Sequence, residues 1–137
     1  MKLYTARLVL PLVLATVLTV AGCGGKSDKA AEPRPTTDAR LQILEPTPNQ
    51  VTGPDLDLKL NLLGAKVVEA STGVLRPDEG HIHVTLDGKL ISMTYGTTQD
   101  LHGLTPGQHS LQAEFVAIDH VPFANRVVAA VLFRVGP

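Results

Sequence analysis

The stretch His81-Ile-His-Val-Thr-Leu-Asp-Gly-Lys-Leu-Ile-Ser-Met-Thr-Tyr95 decides the fold class. Ile82, Val84 and Leu86 alternate with His81, His83 and Thr85. A period of two means a strand with one face buried. Asp87-Gly88 then supplies the residues a two-residue type I′ hairpin turn needs. Lys89 to Tyr95 returns antiparallel, with Leu86 opposite Lys89. Counting back from the turn predicts Ile82 opposite Met93, His83 opposite Ser92 and His81 opposite Thr94. By that register Met93 is core filler.

The same signal recurs on both sides. Leu56, Leu58, Leu60 and Leu62 alternate with Asp55, Asp57, Lys59 and Asn61. Leu111, Ala113, Phe115 and Ala117 alternate with Ser110, Gln112, Glu114 and Val116. Leu41 to Leu44 reads as a first short strand and Val127 to Val135 as a last apolar one. Lys66 to Ala70 reads as a short edge piece and Thr98 to Leu104 as a weak strand. Val51 to Pro54 reads as a turn and Ser71 to Gly80 as a loop. About seven short strands with regular turn signals and no helical period predict an all-β antiparallel sandwich over residues 41–137.

The N-terminus has a different character. Lys2 and Arg7 flank a short positive start, and Leu8 to Val20 is almost wholly apolar. Such a run is short for a membrane span of about 20 residues and is broken by Pro11. It has the anatomy of a secretory signal over 1–22. The run ends Val20-Ala21-Gly22-Cys23, with small residues before the single cysteine of the chain. This ending resembles the lipobox of bacterial lipoproteins. The resemblance implies cleavage before Cys23 and fatty acyl chains, palmitate among them, on its thiol. It implies a membrane anchor and a domain held on the extracytoplasmic side. The alternative is an ordinary secretory signal with a coincidental cysteine. Residues 24–40, GGKSDKAAEPRPTTDAR, are polar and proline-punctuated. With lipidated Cys23 they read as a flexible linker over 23–40.

A second resemblance lies in the domain. Ile43-x-x-Pro46, Val51-Thr52-Gly53 and Leu104-x-Pro106-Gly107-x-His109-x-Leu111 resemble the turn chemistry of bacterial immunoglobulin-like domains. GHIHVTLDG and the later Asp119-His120-x-Pro122 resemble exported bacterial domains of this class. The resemblance implies an immunoglobulin-like sandwich and carries no function with it.

Charge and composition exclude some functions. The chain carries net charge −1, and losing 1–22 removes two cations and no acid. With no basic patch and no Trp, nucleic acid is not an expected partner. No Gly-x-Ser-x-Gly elbow, His-Glu-x-x-His helix or phosphate-cradling loop is present, so no catalytic residue is assigned and no enzyme is expected.

The five histidines all fall between 81 and 120. His81 and His83 project from one strand face, with Cα atoms roughly 6.5 Å apart. In an immunoglobulin-like order, the start of their strand lies beside the end of the strand closing at Ala117. That predicts Asp119 and His120 beside them. His81, His83, Asp119 and His120 are thus candidate ligands for zinc or copper(II). The alternative is the solvated face of a strand. His109 stands where sandwiches place a corner tyrosine and reads as structural. Two functional readings stay open: a non-catalytic interaction module with a protein partner at the cell envelope, needing no cofactor, and a copper- or zinc-binding lipoprotein.

Overall fold

A computed structural model describes residues 33–69 and 73–137. The signal segment, Cys23 and most of the linker lie outside the described residues. Among the described residues nine strands follow in order: β1 (Arg40–Glu45), β2 (Val51–Thr52), β3 (Leu56–Leu63), β4 (Lys66–Val67), β5 (Glu79–Leu86), β6 (Lys89–Thr94), β7 (Thr98–Leu101), β8 (Gly107–Ala117) and β9 (Pro122–Val135). β2 and β4 are two-residue pieces, which leaves seven longer strands. One sheet is ordered β1-β3-β7 and the other β2-β9-β8-β5-β4, with β6 also on β5. The central run β5-β8-β9 against β1-β3-β7 is the strand order of an immunoglobulin-like sandwich.

The core is built from the predicted alternations. Leu56, Leu58 and Leu60 of β3 meet Ile82 and Val84 of β5 and Leu111, Ala113, Phe115 and Ala117 of β8. Val127, Val131, Phe133 and Val135 of β9 complete it. Val51–Thr52, expected as turn, pairs in parallel with Arg134 and Val135 of β9. Asp87 and Gly88 both adopt positive φ, at 49° and 80°, as a type I′ turn requires.

Two departures from the sequence reading matter for the site. The first is the register of β6. The turn pairs Leu86 with Lys89 and Thr85 with Leu90, but Val84 then pairs with Ser92. Ile91 is an extra residue, a β-bulge, and it moves every later residue of β6 to the other face. His83 therefore stands opposite Met93, and Ile82 opposite Thr94. Met93 is 47% exposed and lies outside the core. The second is the linker. Thr37 and Ala39 are buried. The Thr37 N–H donates to Asn125 Oδ1 at 2.8 Å, and Asn125 Nδ2 donates back to the Thr37 carbonyl at 2.7 Å. The ordered domain thus begins before Leu41. A polar segment is held here by side-chain-to-backbone bonds, which leave no apolar period to read.

β5 and β8 approach closely where the site begins. A Cβ on Gly80 would lie 2.0 Å from the Val116 carbonyl oxygen. Only glycine fits, and this contact seats His81 against the end of β8.

Candidate metal centre

His81 and His83 sit on the outer face of β5, opposite Val116 and Glu114 of β8. His120 comes from the connection between β8 and β9. There the His120 N–H donates to the Ala117 carbonyl at 3.0 Å, and the Ala117 N–H to Val121 at 3.1 Å. His120 has φ 65°. This left-handed residue is the closing position of a three-residue hairpin connection. Such a conformation costs a non-glycine residue of order 1–3 kcal/mol. It folds the His120 ring back over His81, with ring centroids 4.4 Å apart.

The connection is fastened from outside by Arg34. Its guanidinium donates to both Asp119 carboxylate oxygens, at 2.5 and 3.0 Å, and to the carbonyls of Val121 and Pro122. These bonds hold the Asp119 carboxyl below the usual range. Asp119 was expected as a ligand. It instead pairs with Arg34, and among the described residues the candidate ligand atoms that converge are those of His81, His83 and His120. The sequence reading missed Arg34 because it lies in the presumed linker.

The three ring nitrogens form a triangle. His81 Nε2 is 3.1 Å from His83 Nε2 and 2.9 Å from His120 Nδ1. His83 Nε2 and His120 Nδ1 are 3.4 Å apart. A metal about 2.0–2.1 Å from each nitrogen spans such edges with angles of roughly 90–110° between its bonds. Protons serve the triangle less well. Each facing nitrogen is either a donor or an acceptor, so at least one edge brings together two donors or two lone pairs. A cation at the centre satisfies all three edges.

Burial is graded across the triad. His81 is fully buried, His83 half-buried and His120 exposed. The Nδ1 of His81 is buried without a hydrogen-bond partner among the described residues. Its Nε2 is therefore the atom through which that ring makes polar contact. Burial, then the neighbouring His120 and His83, push the His81 pKa down to about 4. Burial and His120 lower His83 as well. Near neutral pH these rings are uncharged and their lone pairs are available.

The other histidines stand apart. His109 Nε2 donates to the Thr105 carbonyl and Nδ1 to Asp87, both at 2.7 Å. This is the bond of a corner tyrosine made by an imidazole, as the sequence suggested. His102 lies 3.3 Å from Asp55 on the surface.

No protein-family model matches the chain, and no curated protein is significantly similar to it in sequence. Among solved structures, it is similar to fibronectin(III)-like modules of Clostridium thermocellum CbhA, with 16% identity, TM-score 0.46, and coverage of 70% of this chain and 94% of that one. It is also similar to a CARDB domain from Pyrococcus furiosus, with 16% identity, TM-score 0.47, and coverage of 74% and 97%. A human PKD domain gives 15% identity, TM-score 0.45, and coverage of 81% and 92%. At these scores the likenesses add nothing to what the strand order of this chain shows.

Proposed function

We propose that this chain is a non-catalytic binding module whose ligand is a transition-metal ion, held by His81, His83 and His120 and displayed outside a membrane by lipid on Cys23. The observation that carries the metal reading is the nitrogen triangle with edges of 2.9 to 3.4 Å. Three imidazole nitrogens suit zinc and copper and serve magnesium or calcium poorly. β5, paired with β6 and β8, and the turn fastened by Arg34 carry the three rings. What supports the anchor is the apolar run ending Ala21-Gly22-Cys23.

Calorimetric titration of the full-length protein with zinc(II) and copper(II) tests the metal. One equivalent is expected to bind, with affinity falling about 100-fold or more in His83→Ala/His120→Ala as two of three ligands go. Unchanged affinity in that variant refutes the site. Incorporation of labelled palmitate tests the anchor, and it is expected in wild type and lost in Cys23→Ala. Labelling that persists in the variant removes Cys23 as the attachment point.

A further inference from the structure

Three imidazoles leave a fourth position open, and the side chains bordering it differ in their freedom to take it. Glu114 stands opposite His83 on β8. Its two carboxylate oxygens accept bonds of 2.7 Å from Nε and Nη2 of Arg126. Asp119, next to His120, has both oxygens on Arg34. Glu114 and Asp119 are thus each closed off in a two-pronged arginine pair, a geometry that uses both carboxylate oxygens. Hard oxygen ligands are drawn away from the metal position.

The other flank of β5 is different. The bulge at Ile91 brings Met93 opposite His83, on the face that carries the triad. Directly opposed residues of an antiparallel pair have Cβ atoms about 4.5–5.5 Å apart. The thioether stands on three rotatable bonds, which give it reach over the neighbouring ring. Met93 is half-exposed rather than packed into the core. Without the bulge, Ser92 would hold that place and Met93 would be buried.

We infer, resting on the triad reading above, that the ion is copper and that Met93 Sδ is its fourth ligand in the cuprous state. Imidazoles alone serve zinc and copper alike. A thioether is a soft ligand that favours copper(I) and adds little for zinc. Binding involves no bond making beyond coordination and no net electron transfer.

The test compares full-length wild type, Met93→Leu and His83→Ala. Copper(I) affinity is read anaerobically, with ascorbate present, by competition with a chromogenic copper(I) chelator. Zinc(II) affinity is read in parallel. Leu preserves volume and fold, and a thermal melt checks that it does. Met93→Leu is expected to weaken copper(I) tenfold or more and to leave zinc(II) within twofold. A smaller copper(I) loss, or an equal loss for zinc, overturns the role of Met93. If His83→Ala then still loses both metals, the triad reading survives that failure. If wild type binds neither metal, or His83→Ala binds both as wild type does, the triad itself is refuted and the inference falls with it.

Discussion

His109 and His81 are both buried on the same sheet, yet their nitrogens face opposite kinds of atom. Each nitrogen of His109 meets an oxygen, the Thr105 carbonyl on one side and Asp87 on the other. Among the described residues, Nε2 of His81 meets the nitrogens of His83 and His120. The first ring has an acceptor at each nitrogen and ties a corner. The second has another imidazole nitrogen at each contact of its Nε2. Burial alone therefore does not separate a structural histidine from a candidate ligand. The chemical character of the partners does.

The largest expected contrast is in metal affinity. His83→Ala/His120→Ala loses about 100-fold or more, near 2.7 kcal/mol at 1.4 kcal/mol per tenfold, whereas His109→Phe stays within twofold. Parallel titrations of the two variants read it, and a loss in His109→Phe would break the distinction. Stability reverses the order. His109→Phe strands the Thr105 carbonyl and removes the Asp87 contact, an expected loss of about 1–3 kcal/mol in urea denaturation. An unchanged midpoint would remove the corner role.

Protonation sharpens the same comparison with opposite signs. His81 and His83 have lowered pKa values in the fold. Below about 6.5 the unfolded chain binds protons there more readily than the folded chain, so both rings make the metal-free protein less stable as pH falls, His81 down to about 4. His109 is raised, first by the Thr105 carbonyl and then by Asp87. Its contribution is complete below about 6.5 and is lost as pH rises through its folded value. Asp87 is lowered, first by the Ser110 N–H and then by His109. Its contribution is lost as pH falls through its own folded value. Imidazole NMR titration of the metal-free protein is expected to show His81 neutral down to about pH 4, with His109 still protonated above 6.5. The reverse order would contradict both environments.

The smallest effect is expected at the rim. Asp119→Asn weakens an ion pair whose side chains are 26% and 37% exposed, a stability loss of about 1 kcal/mol or less. Metal affinity should stay within threefold, because Arg34 retains its two carbonyl bonds. A loss like that of His83→Ala would restore Asp119 as a ligand.

Much of this was legible in the sequence because period-two alternation marks both strand and face. β3, β5 and β8 follow it closely, and the Asp87-Gly88 turn is as read. The pairing of Gly80 with Ala117 brought His120 to His81 as the expected order required. Two features were not legible. Ile91 is an ordinary strand residue, so no glycine or proline announces the bulge that turns Met93 outward. The fastening of Asp119 by Arg34 joins residues 85 positions apart through a segment with no apolar pattern. A turn acid beside histidines looks the same in sequence whether it faces a metal or an arginine.

The most direct measurement is a nitrogen-15 NMR spectrum of the imidazoles in the full-length protein as one equivalent of zinc(II) is added. The Nε2 signals of His81 and His83 and the Nδ1 signal of His120 should shift together, while those of His102 and His109 stay in place. Stationary triad signals, or shifts confined to His102 and His109, would contradict the assignment.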